Sequence, residues 1–340
     1  MPFPKGVYNK EEVKEKWKQS DFTKHVENLW ETLQSPGVEK DGIPPLDSPH
    51  FVQANEAAFE NEEAMIVVSI KEHAKAYRVD DVMLHEIVND TIADVPIAIT
   101  FCPLCNSAIV YKRVYKGKTI RLGVSGMLRH NDLIMWDDET YSWWQQFTGE
   151  AIMGEATGSA LDVIPSQLKS FSFVQKQFPN SYVLQKTEQD PIPPSHQTGD
   201  FKKRGPKMVN TEKVFATIVH NQPIAISFHK AKQEKIVEVE TEKEGLVIMF
   251  NDQMKEMGIE PVGMRGQASI FKRQVDKFNL HFMINEEGEI VDLETKSFWN
   301  RDGFCIKGYL QGKKLEALPC YPHFQEPWLQ FHPDGILFKV

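Results

Sequence analysis

The nine residues WDDETYSWW (Trp136–Trp144) return further along the chain as VDLETKSFW (Val291–Trp299). Asp137 aligns with Asp292, Glu139 with Glu294, Thr140 with Thr295, Ser142 with Ser297 and Trp144 with Trp299. The correspondence continues in order: Gly154 with Gly308, Gly158 with Gly312, Leu161 with Leu315, Pro165 with Pro319, and Phe178-Pro179 near His332-Pro333. Chance does not easily keep order, spacing and residue type together over so long a stretch. Such self-similarity means one structural unit used twice, here residues 65–186 and 208–340. Features kept in both copies read as structural: Asp and Thr organise a turn, and Trp plugs a core.

The rhythm of the first copy says what the unit is made of. From Met65 onward, short apolar runs (MIVVSI, VPIAITF, SAIVYKRVY, KTIRLGV, LIMW) alternate with turn residues, the spacing of a strand-rich body. Residues 1–64 read as an N-terminal helical extension. Within it a helix is predicted over Asn9–Ser35, with Asn9 and Glu12 as a capping box and Asp21 capping a second turn after a break. Trp17, Val26, Leu29, Trp30 and Leu33 recur at near-helical spacing, a stripe for packing on the body. Pro, Gly and Lys dominate the stretch after Thr187, which predicts a linker over 187–207. The expected fold is therefore α+β and β-rich: a pseudo-duplicated mixed or antiparallel β body behind a helical extension.

Charge and hydropathy exclude some classes. The net charge is −9, without a basic stripe, so nucleic acid is not an expected partner. No apolar run reaches eighteen residues, so no membrane span is expected. The opening MPFPKGVYNKEEVKEK lacks the apolar core of a secretory signal. That predicts a soluble protein, cytoplasmic as the sequence stands and exported if a leader has been removed. The patterns G-x-S-x-G, H-E-x-x-H, the P-loop and the Rossmann glycines are all missing.

What remains distinctive is HEIVNDTIADVPIAITFCPLC (His85–Cys105). A hairpin with its tip at Ala93-Asp94 pairs residues whose numbers sum to 187: Asn89 with Ala98, Ile87 with Thr100, and His85 with Cys102. Cross-strand neighbours are close enough to share a ligand, and a slip of one residue would turn His85 to the wrong face. The other face carries Glu86, Val88 and Asp90 with Ile97, Ile99 and Phe101. A carboxylate among those apolar residues must be paired, hydrogen-bonded or protonated. Glu86, Asn89 and Asp90 are thus the candidate catalytic residues. The competing readings are a structural salt bridge for Glu86 and hairpin capping for Asn89 and Asp90.

Four cysteines are too few for a disulfide scaffold in this chain. Cys305 and Cys320 sit in apolar surroundings and read as buried free thiols. Three readings compete for Cys102-Pro103-Leu104-Cys105. A dithiol oxidoreductase wants a helix after the first cysteine to lower its pKa, whereas NSAIVYKRVY reads as strand. A Cys-Pro-x-Cys turn between strands suits a metal knuckle, with His85 as third ligand and His130 as a possible fourth. Inert packing is the third. Thiolates with imidazole suit a copper or zinc ion, one per chain. The leading expectation is a mononuclear metalloenzyme acting on a small molecule or peptide: an oxidoreductase with copper, a hydrolase with zinc. A metal carrier or sensor and a thiol–disulfide oxidoreductase are the alternatives.

Several ordered stretches together resemble one family. They are DGIPPLDSPHFV, KAYRVDDVMLHEIVNDTIADVPIAITFCPLCNSAIVYKR, LGVSGMLRHNDLIMWDDETYSWWQQFTGEAIMG and LKSFSFVQKQFPNSYVL. The family is the bacterial domain-of-unknown-function family DUF3179; the resemblance spans Asp41 to Leu184 and runs more weakly through the second copy. It implies no established reaction. Its motifs fall on His85, Glu86, Asn89, Asp90, Cys102, Cys105, Ser125 and Gly126. This chain departs from it at Asn106, where such proteins often have glycine, and at His130, which would make any metal role of that residue its own. Many relatives look exported.

Overall fold

The computed structural model describes residues 9–187, 190, 212–252 and 266–339. Among them the architecture is α+β and β-rich, and no helix exceeds seven residues. No described helix is long and apolar enough to cross a membrane. The predicted linker lies, apart from residues 187 and 190, outside the described residues.

The predicted N-terminal helix is broken. It survives as α1 (Lys10–Lys16) and α2 (Leu29–Thr32). Asn9 caps α1 by accepting from the Glu11 N–H at 3.0 Å, one residue earlier than a capping box requires. Between the helices, Asp21 accepts from the Thr23 N–H at 3.0 Å and holds a turn, the competition with helix typical of short polar side chains. The apolar stripe does pack on the body. Val13, Trp17, Leu29 and Leu33 share a core with Trp136 and Trp143, and Trp17 meets the two tryptophan rings edge-on at 5.6 and 5.3 Å.

The described chain divides into two compact units. The first holds residues 9–187 with His323–Pro333; the second holds 212–252, 266–322 and 334–339. In the first unit β1 (Ala64–Ile70) and β2 (His73–Arg78) form a hairpin that feeds α3 (Val79–His85). A meander follows, of β3 (Ile87–Ile92), β4 (Val95–Cys102) and β5 (Ser107–Lys112). Then β6 (Leu122–Arg129), β7 (Asp132–Asp137) and β8 (Trp143–Gln145) build an antiparallel sheet, and α4 (Phe171–Gln177) closes the repeat. Tyr182–Leu184 adds to β2 in parallel, so the sheets are mixed.

The second unit repeats this order of elements. The hairpin Lys213–Val219 with Gln222–Ser227 feeds α5 (Phe228–Glu234), and a meander of Ile236–Glu240, Gly245–Asn251 and Gln267–Lys272 follows. The helix α6 (Gln325–Phe331) is the counterpart of α4, although it clusters with the first unit. Both α3 and α5 end on a left-handed residue, Glu86 at φ 58° and Lys235 at φ 63°. The duplicated run is duplicated atom for atom. Asp137 accepts from the Thr140 N–H (2.6 Å), the Thr140 hydroxyl (2.8 Å) and the Trp144 indole (2.8 Å). Asp292 accepts from the Thr295 N–H (2.5 Å), the Thr295 hydroxyl (2.9 Å) and the Trp299 indole (2.9 Å). Gly154 and Gly308 lie over Ser142 and Ser297, where a Cβ would come within 2.6 and 2.8 Å. This wheel is structural, as its presence in both copies implies.

Candidate metal centre

The β3–β4 hairpin has the predicted register, Ile87 opposite Thr100 and Asn89 opposite Ala98. Ala93 and Asp94 take φ of 48° and 66°, the two left-handed residues of a type I′ turn. The pairing stops at Ile87, however, and the expected cross-strand pair of His85 with Cys102 does not form. His85 is instead the last residue of α3, because Val79 and Val82 bury one face of a helical turn. Its Nδ1 lies 2.9 Å from the Pro44 carbonyl; a carbonyl only accepts, so Nδ1 carries the proton. The ring is buried but does not join the thiols within ligand distance of one another.

The knuckle itself forms. β4 ends at Cys102, the Cys105 N–H donates to the Cys102 carbonyl at 3.2 Å, and Asn106 at φ 52° returns the chain to β5. No helix follows it, as expected. A second bond pins it from outside: the Phe324 N–H donates to the Cys105 carbonyl at 2.8 Å. Facing the knuckle is the turn His130-Asn131, both left-handed, between β6 and β7. The Asn131 carbonyl accepts from the Cys105 thiol at 3.5 Å and lies 3.9 Å from the Cys102 sulfur. The Leu133 N–H donates to the Cys102 sulfur.

The third donor is Asp132, the first residue of β7. Its carboxyl and the two sulfurs lie within 4.8 Å of one another, and all three residues are buried. Asp132 Oδ2 accepts from Gln145 Nε2 at 2.7 Å and the Phe147 N–H at 2.9 Å. Among the described residues Oδ1 has no nitrogen or oxygen donor, and the carboxyl is hydrogen-bonded by the thiols. Sequence reasoning passed over Asp132 in favour of its neighbour His130. The available signal was a carboxylate opening the apolar run LIMW directly after a polar turn.

Electrostatics set this cluster apart. Burial, helped by the charge of Asp132, pushes the Glu86 carboxyl up to about 8. Burial pushes Asp132 up to about 6 against the bonds from Gln145, Phe147 and the thiols. Burial likewise raises Cys102, and raises Cys105 well above the ordinary thiol range. The carboxyls of Asp132 and Glu86 add to the Cys102 shift. These thiols are therefore the reverse of activated, which argues against the thiol–disulfide reading.

The other predicted residues have structural partners. Asn89 donates to Asp47 and to the Leu122 carbonyl, both at 2.8 Å, and accepts from the Leu122 N–H at 3.1 Å. Asp90 pairs with Lys75 at 2.8 Å and accepts from the Tyr77 hydroxyl at 2.6 Å. His130 packs edge-on against Phe331 at 5.6 Å, and burial lowers its pKa; its ring is not one of the clustered donors. Ser125 accepts from the Met127 N–H within a register shift of β6, and Gly126 lets the chain pass the Val38 carbonyl, which a Cβ would meet at 2.3 Å. Cys305 and Cys320 are buried and in no disulfide, and the Cys320 thiol donates to the Ala268 carbonyl at 3.3 Å.

Comparison with curated proteins and with solved structures finds no match. One family model matches residues 40–335, which takes in both copies of the repeat and every residue of the cluster. The chain belongs to that family, described as "Protein of unknown function (DUF3179)".

Proposed function

We propose that the first unit holds one zinc ion on Cys102, Cys105 and Asp132 and uses it in hydrolysis of a small molecule or peptide, with Glu86 handling a proton beside it. One observation carries this reading. Two thiols and a carboxyl are buried within 4.8 Å of one another, and the charges acting most strongly on the thiols are those of carboxyls and of the neighbouring sulfur, not cations. Without a cation both thiols keep their protons; a divalent ion would displace them. Zinc takes thiolate and carboxylate donors in a tetrahedron, with ligating sulfurs roughly 3.8 Å apart for Zn–S bonds of about 2.3 Å. Small side-chain rotations reach that spacing. The hard carboxylate oxygen beside the two thiolates favours zinc over copper(I).

Three protein donors leave a fourth position, the pattern of a catalytic rather than a structural zinc. An ion so bound acidifies a coordinated water. Glu86 is only partly buried as a residue; burial and Asp132 hold its carboxyl up to about 8 in the metal-free site, and the ion's charge would lower it toward the range of a proton-handling group. A structural ion tying the knuckle to β7 is the second reading, favoured by the 1%, 0% and 0% exposure of Cys102, Cys105 and Asp132.

The test is elemental analysis of protein purified without added metal. Zinc at one ion per chain should be lost in Cys105→Ser and in Asp132→Ala but kept in His85→Ala. Wild-type protein with no bound metal, or zinc that survives both substitutions, rejects the reading. Ready removal by a chelator supports the open site; retention in the folded protein supports the structural one.

A further inference from the structure

We propose that Asn106 and Asn131 bind a neutral, carboxamide-type ligand at the open position of the zinc site; the inference rests on the zinc reading above. Asn106 follows Cys105 in the chain and is 1% exposed. Neither its Oδ1 nor its Nδ2 meets a hydrogen-bond partner among the described residues. Asn131 precedes Asp132, and its Oδ1 is buried in the same condition, while its backbone carbonyl touches the Cys105 thiol. Buried polar groups are nearly always paired. One orphaned amide and one orphaned amide oxygen, each one residue from a zinc donor, mark positions held for a ligand.

The backbone does not require either side chain. Asn106 and Asn131 sit at φ of 52° and 61°, a region glycine enters at least cost. Such a turn accommodates asparagine, but no described residue pairs with the Asn106 amide or with Asn131 Oδ1. Charge selects the class of ligand: two thiolates and a carboxylate already over-neutralise a divalent ion, so a further anion is repelled. Asn106 Nδ2 offers donors and Asn131 Oδ1 an acceptor. A carboxamide presents the matching carbonyl and N–H, and a peptide bond does the same.

The experiment uses the full chain loaded with cobalt(II) in place of zinc, with acetamide and acetate as probes of the visible spectrum. Acetamide should perturb the spectrum saturably, and acetate should not. Asn106→Gly should weaken acetamide at least tenfold while cobalt affinity stays unchanged. In metal-free protein the same substitution should raise Tm by about 2–4 °C, because it removes a buried unpaired amide and relieves the backbone. Cobalt uptake without a saturable acetamide response, an unchanged acetamide affinity in Asn106→Gly, equal binding of acetate, or a fall in Tm each overturns this proposal alone. A chain that takes up no cobalt fails at the zinc reading and takes this proposal with it.

Discussion

Replacing Glu86 by glutamine in the metal-free protein should change how stability depends on pH. The folded protein holds the Glu86 proton up to about 8, whereas an unperturbed glutamate releases it near 4.5. Between those values the unfolded chain binds fewer protons than the folded one, so stability is full at acid pH and falls as pH rises. The slope is at most about 1.4 kcal/mol per pH unit, which sets an upper limit of about 5 kcal/mol over the window. Glu86 is partly open to solvent and shares its repulsion with Asp132, which reduces the expected loss to about 2–3 kcal/mol. Asp132 adds a smaller fall of the same sign between 3.8 and about 6 in both proteins, so the difference between them isolates Glu86. Urea unfolding followed by tryptophan fluorescence suits the measurement, because every tryptophan but Trp299 lies in the first unit. Glu86→Gln should match wild type near pH 5 and exceed it by about 2 kcal/mol near pH 8. Parallel curves across the whole range would falsify the assignment of Glu86 as a buried neutral acid.

Three further outcomes are expected. Zinc uptake by the apo protein should release protons, because both thiols must ionise; calorimetry in two buffers of different ionisation enthalpy should give a count above one. His85→Ala should keep its zinc and lose about 2–4 kcal/mol of stability in denaturant titration, from the cavity left by a buried ring and the unpaired Pro44 carbonyl. Asp137→Ala and Asp292→Ala, which each orphan a buried indole N–H, should each cost about 2–4 kcal/mol by thermal unfolding while leaving metal content untouched.

Much of the fold was legible because it depends on local pattern. Alternating apolar runs gave the meander, and the pairing sum gave the hairpin register to the residue, because the two-residue turn at Ala93-Asp94 fixes it. The error at His85 came from extending a strand past its end. Val79 and Val82 three positions apart already hinted at a helical turn, and seven residues are too few for that period to show. The counterpart of the IVND strand in the second copy, Ile236–Glu240, stayed hidden because its polar residues differ even though its place in the fold is the same. Asp132 was invisible for another reason. Its proximity to the thiols is a contact between two turns that no single-strand pattern encodes.

Of the two thiols, Cys102 closes β4 and Cys105 lies in the connection that follows it. Cys102 and Ser107 are bonded across β4 and β5, so the sheet is complete without the four residues between them. The second unit makes the point for itself, joining its corresponding strands, Gly245–Asn251 and Gln267–Lys272, through a longer stretch of chain while keeping their antiparallel ladder. On the zinc reading, the knuckle is therefore a detachable module. Lineages or engineers could delete it, or install it in the other copy, by exchanging one short loop and supplying an aspartate opposite, without renegotiating the rest of the fold.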